Sequence, residues 1–96
     1  MEYKVHSKVW LYPGDAAWHF VTVDKKTSEK INENHGAKKK GFGSIPVSVT
    51  VGTTKWKTSI FPDSKSGCYM LPIKVAVRRA EEIGDGDTIS LSLVIK

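Results

Sequence analysis

A chain of 96 residues, 40% hydrophobic and 26% charged, has the composition of one soluble globular domain. Such a chain buries roughly 65% of the surface its unfolded form exposes, which suffices for one core but not for a deep enclosed site with a lid. Fifteen Lys plus Arg against 10 acids give a net charge of +5, which points modestly toward an anionic partner. No apolar run approaches the roughly 20 residues of a membrane-spanning helix, so no membrane partner is expected. The start, MEYKVHSKVW, lacks the hydrophobic segment of a secretory signal. The lone Cys68 cannot form an internal disulfide and reads as a small buried side chain, in keeping with a reducing, cytoplasmic home.

Residues 3–12 alternate. Tyr3, Val5, Ser7, Val9 and Leu11 form the core face of a first strand, and Lys4, His6, Lys8, Trp10 and Tyr12 lie on the other face. Pro13-Gly14-Asp15 is turn chemistry, and a second strand is expected from about Ala17 to Val23. Asp24 suits the N-cap of a helix over residues 25–34, with Thr27 or Ser28 as later alternatives. Ile31 is the only large apolar residue of that helix, so it is expected to bury little and to be short and mobile. Residues 34–44, NHGAKKKGFGS, read as a flexible surface loop, loosened by glycines and by repulsion among Lys38, Lys39 and Lys40.

A second round of the same elements follows. Ile45, Val47, Val49 and Val51 alternate with Pro46, Ser48 and Thr50, the proline suggesting an edge or the start of a strand. Gly52-Thr53-Thr54 turns the chain into a hairpin whose return strand alternates Lys55, Lys57 and Ser59 with Trp56, Thr58 and Ile60. A polar loop leads to a short strand over Cys68–Leu71. Pro72 suits a first helical position, and Ile73, Ala76, Val77, Ala80 and Ile83 recur at helical spacing as one apolar face. Gly84 and Asp85-Gly86 are expected to stop that helix, and Ile89, Leu91, Leu93 and Ile95 mark a closing strand. Strand-strand-helix-strand, given twice, makes a mainly β protein with two short helices. A small closed or nearly closed six-stranded barrel would also remove the exposed edges of so small a sheet.

The stretches GFGSIPVSVTVG, KWKTSIFPD and SGCYMLPIKVAVRRAEEIGDGDTISLSL, with Trp18-His19-Phe20-Val21 before them, resemble domain-of-unknown-function family 1905. Trp56-x-Thr58-Ser59, Leu71-Pro72 and Gly86-Asp87 fall in that family's order and spacing, although Asp24 stands where members often carry proline. The resemblance implies a six-stranded barrel and no established activity, and it carries over no catalytic residues. A shorter likeness, from Leu71-Pro72 to Gly86-Asp87, is similar to swapped-hairpin transcription regulators, but fold analogy says little about function.

Three constellations could carry function. Lys4, His6, Lys8, Trp10 and Tyr12 interleave cations with aromatics, as nucleic-acid binders do to neutralise phosphates and stack on bases, and Lys38–Lys40 could add phosphate contacts. The plainer alternative is a helix covering the aromatics while the lysines are merely solvated. Lys57, Arg78 and Arg79 could hold a small anion, helped by free N–H groups at a helix start near Ile73. There the plainer alternative is an exposed Arg78–Glu82 pair, which contributes little. His6, His19 and His35 lack metal-ligand spacing, and no nucleophile turn or paired carboxylates occur, so neither a metal, a cofactor nor an enzymatic activity is expected. The resulting expectation is a non-catalytic binding module, with nucleic acid or a small anion as alternative partners and with monomer and dimer both open.

Overall fold

The computed structural model describes residues 1–14, 18–36 and 43–95. Its elements are β1 (Glu2–Leu11), β2 (His19–Thr22), α1 (Lys25–His35), β3 (Ile45–Val51), β4 (Thr54–Asp63), β5 (Cys68–Pro72), α2 (Val75–Ala80) and β6 (Thr88–Val94). All strand pairs are antiparallel, and the ladder closes in the order β1-β2-β5-β4-β3-β6. The protein is thus a closed six-stranded β-barrel with two helices, and its element order repeats as the sequence indicates.

Alternation fills the barrel. Tyr3, Val5 and Val9 of β1, Ile45, Val47, Val49 and Val51 of β3, and Ile89, Leu91 and Leu93 of β6 all belong to one core, which also takes in Trp56, Ile60 and Leu71 among others. Lys4, His6 and Lys8 stay in solvent. Ser7 is only half-buried, and Leu11, expected inside, is 37% exposed because it sits at the last rung of β1, opposite His19 at the rim. The hairpin turn is two residues long, with Val51 opposite Thr54 and Gly52 at φ +57°, the positive value that the first position of a II′ turn requires. Pro46 pairs with Ser59 but lies outside the β3–β6 rungs, which run from Ser48 to Thr50, so its missing N–H interrupts nothing there.

The two halves are related by more than element order. β1 pairs with β6 up to Lys8 and with β2 from Val9, while β4 pairs with β3 up to Ile60 and with β5 from Phe61. This register is that of a pseudo-twofold axis through the rungs Val21–Leu71 and Thr50–Ser92. The axis relates Val5 to Trp56, Val9 to Ile60 and Val23 to Ile73.

Both helices differ from the sequence reading. Asp24 caps α1 as expected, its carboxylate accepting from Thr27 N at 3.0 Å. The helix runs on to His35, and Ser28, Ile31 and His35 form a buried stripe rather than one lone apolar contact. His35, placed in a loop by the sequence, is buried with Nε2 3.1 Å from the Tyr3 hydroxyl. α2 begins at Val75 rather than Pro72, because Ile73 N still donates to His19 O at 2.9 Å and Ile73 is buried in the barrel. That ladder bond and that burial outweigh the helical pattern. Only Val77 of α2 is buried, and Ala76 and Ala80 are exposed. The helix stops at Ala80, before the glycines: Glu82 takes the left-handed conformation (φ +54°), and Ile83 N reaches back to Arg78 O at 2.8 Å, a Schellman closure. Among the described residues no helix is long and apolar enough to cross a membrane.

Candidate functional site

Register opens a cleft on one side of the barrel. β4 and β5 pair at only three rungs, Phe61–Met70, Pro62–Tyr69 and Asp63–Cys68. Past these, Leu71 and Pro72 pair with β2, while Trp56, Lys57 and Thr58 pair with β3. The strands diverge, and the wedge between them is a cleft of about 650 Å³, the size of small-ligand sites. Trp56, Lys57 and Thr58 wall it from β4, and Pro72, Ile73, Lys74 and Val75 wall it from the β5–α2 junction. Trp18, His19 and Arg78 complete the lining.

The pseudo-twofold partner of this place is filled differently. There Ser28 is built into the β2–β5 ladder: its hydroxyl donates to Val23 O at 2.9 Å and accepts from Tyr69 N at 3.0 Å, beside a direct Val23 N to Tyr69 O bond of 2.8 Å. Tyr69 is buried, its hydroxyl donates to Asn32 Oδ1 at 3.2 Å, and burial pushes its phenol above the ordinary value. At the cleft His19 stands for Tyr69 and Arg78 for Ser28. Ile73 N donates to His19 O, and Arg78 Nε donates to Ile73 O at 3.1 Å. A guanidinium has no acceptor, so the His19 amide gains no counterpart of the Tyr69–Ser28 bond. The smaller His19 ring leaves space, and its Nδ1, shielded from solvent, has no hydrogen-bond partner among the described residues.

Charge also distinguishes the cleft from a neighbouring pocket. Lys57, Lys74 and Arg78 line the cleft, and among its described lining residues there is no carboxylate. A separate pocket of about 370 Å³, between α1 and the β4–β5 connection, carries Glu29 and Asp63 instead. The cleft therefore offers Lys and Arg donors and a threonine hydroxyl against indole walls. That set suits charge-assisted hydrogen bonds to an anion with an apolar body.

Of the residues singled out in the sequence, Lys57 and Arg78 come together here, whereas exposed Arg79 does not line the cleft. The helix ends before Glu82, which takes the left-handed conformation, and Arg78 Nε donates to the Ile73 carbonyl. The helix-start N–H groups expected near Ile73 are likewise absent there, since Ile73 remains in the ladder. The basic-aromatic face of β1 divides in two. Lys4 donates to Ser92 Oγ at 3.1 Å and pairs with Glu2 at 3.6 Å, and His6 Nδ1 lies 2.6 Å from Ser90 Oγ. These residues and exposed Lys8 belong to the β1–β6 sheet. Trp10 belongs to the β1–β2 sheet, where it packs on Phe20 and donates through Nε1 to Thr22 Oγ1 at 2.9 Å. Tyr12 is 47% exposed, so no helix covers it. Lys38, Lys39 and Lys40 lie outside the described residues.

Sequence reasoning missed Trp18, His19 and Lys74 as lining residues. In the sequence His19 is considered only as a metal ligand, and Lys74 falls within the stretch read as helix. Trp18 carried a signal, since it shares its strand face with Phe20. Among the described residues no His, Cys, Asp and Glu cluster could hold a metal ion.

Over residues 6–93 the chain matches the family described as a domain of unknown function, DUF1905. The match covers nearly the whole chain, and the protein belongs to that family. No curated protein matches the sequence.

Proposed function

We propose that this DUF1905 domain is a non-catalytic binding module whose ligand is a small organic anion carrying a flat apolar group. The observation that supports the reading is the cleft itself: about 650 Å³, walled by Trp18 and Trp56 and lined by Lys57, Lys74, Arg78 and His19. An anion there would exchange water for Lys and Arg donors, and its apolar part would lie on indole. The free, buried Cys68 favours a reducing, cytoplasmic setting.

Trp18 and Trp56 report on occupancy through their fluorescence. Titration with a nucleoside monophosphate, an aromatic carboxylate and inorganic phosphate should give saturable quenching for at least one ring-bearing anion. Lys57→Ala and Lys74→Ala, both at exposed lysines, should each weaken binding about tenfold, while Lys4→Ala and Lys8→Ala leave it unchanged. Equal loss in both pairs, or no saturable response, would overturn the assignment.

A further inference from the structure

The cleft adjoins a second hollow. Trp18 lines both, and beyond it Tyr12, Phe20, Phe61 and Met70 enclose an apolar hollow of about 310 Å³ on the outer face of the barrel. Trp18, Tyr12 and Phe61 are 53%, 47% and 37% exposed, an unusual gathering of large rings in water. The rings are held in place. Trp18 stacks on Phe20 with centroids 5.9 Å apart and planes 11° apart, and Phe20 lies 5.2 Å from Trp10 and 5.7 Å from Tyr12. Trp10 is itself tied to Thr22. Phe20 is consequently buried although it lies outside the barrel core.

Exposed ring faces beside a set of cations match a polymer of flat bases on a phosphate backbone. We infer that the cleft and the aromatic hollow form one single-stranded nucleic-acid site. Lys57, Lys74 and Arg78 take a backbone phosphate, and Trp18, Tyr12 and Phe61 stack successive bases. This inference rests on the anion reading of the cleft. A duplex keeps its base faces stacked on one another and could not use the rings. A second copy of this chain is disfavoured by charge, because a twofold contact on this face would set the same cations opposite one another.

The test is fluorescence anisotropy of the full chain with labelled eight-nucleotide oligo(dT) and oligo(U), a duplex of equal length, and a nucleoside monophosphate as competitor. The single strands should bind more tightly than the duplex and the monophosphate. Their affinity should fall with salt at a log–log slope of about −0.7 per phosphate contacted. Tyr12→Ala and Phe61→Ala should each weaken the oligonucleotide about tenfold or more while leaving the monophosphate unaffected. Both side chains lie outside the core cluster, and unchanged melting curves verify that the variants fold. Lys57→Ala should weaken both ligands. Monophosphate binding with no gain from the longer strand would overturn this inference and leave the cleft assignment standing. Failure of both ligands would overturn both. Tyr12 and Phe61 variants that change sedimentation but not oligonucleotide affinity would assign the rings to a second copy and overturn the inference as well.

Discussion

Ser28→Ala removes one oxygen from a position where two backbone groups depend on it. The Ser28 hydroxyl completes the β2–β5 ladder between Val23 O and Tyr69 N. Ser28 is 2% exposed, Val23 0% and Tyr69 4%, so water cannot readily take its place. Each buried group stranded without a partner costs about 1–3 kcal/mol. Two such groups give a loss of about 2–6 kcal/mol, set against a total stability of about 5–14 kcal/mol for a domain of this length. The melting temperature should fall by at least about 8 °C, at about 4–8 °C per kcal/mol. Urea unfolding followed by circular dichroism would measure it, with the midpoint falling and the m-value unchanged. Ser90→Ala provides the control, since it removes an exposed hydroxyl beside His6 and should cost no more than about 0.5 kcal/mol. If Ser28→Ala costs no more than Ser90→Ala, the hydroxyl is not a rung of the ladder and the reasoning fails.

Gly52→Ala should destabilise by about 1–2 kcal/mol from the left-handed φ alone. The added Cβ also meets the Glu81 carboxylate, the end of a flexible side chain, so the further loss is that of the bond it accepts from Thr54 Oγ1. Adding Glu81→Ala should remove the collision and leave the φ cost, and additive losses in that double-mutant cycle would refute the contact. For Tyr69, the folded protein keeps its phenol proton at a pH where the unfolded chain has released it. Its contribution is therefore complete below about pH 10 and declines as pH rises beyond that value. Tyr69→Phe should flatten the stability curve above about pH 10, and parallel curves for the two proteins would contradict the burial argument.

The strands were legible because each core face repeats at period two, and β3, β6 and most of β1 needed nothing else. α2 was misread because helical spacing and strand burial compete at Ile73, and only the bond to His19 O decides between them. The Schellman position fell on Glu82, a residue with no conformational signature, while Gly84 nearby supplied a false one. Buried Ser28 and His35 were invisible as core residues, since their partners Tyr69 and Tyr3 lie 41 and 32 positions away. The cleft was half legible. Lys57 and Arg78 were picked out by charge, but the divergence of β4 from β5 that brings Lys74, Trp18 and His19 to them is a property of register, which composition does not encode.

The pseudo-twofold barrel locates the asymmetry that matters. Each half opens a wedge where one strand changes partners. α1 closes the first through Ser28, Asn32 and the Tyr69 ring, whereas α2, six residues long with one buried side chain, cannot close the second. If the missing ring is what leaves the cleft open, His19→Tyr should occupy it. The cleft of about 650 Å³ has room for the larger ring without overpacking, so stability should change by less than about 1.5 kcal/mol. Anion binding, read by Trp18 and Trp56 fluorescence, should nevertheless disappear. His19→Ala separates the two roles of that position, because it removes the unpartnered nitrogen but keeps the space, and should weaken binding without abolishing it. Undiminished binding to His19→Tyr would show that the anion sits elsewhere, and a collapse of the fold would show that the wedge is structural rather than vacant by design.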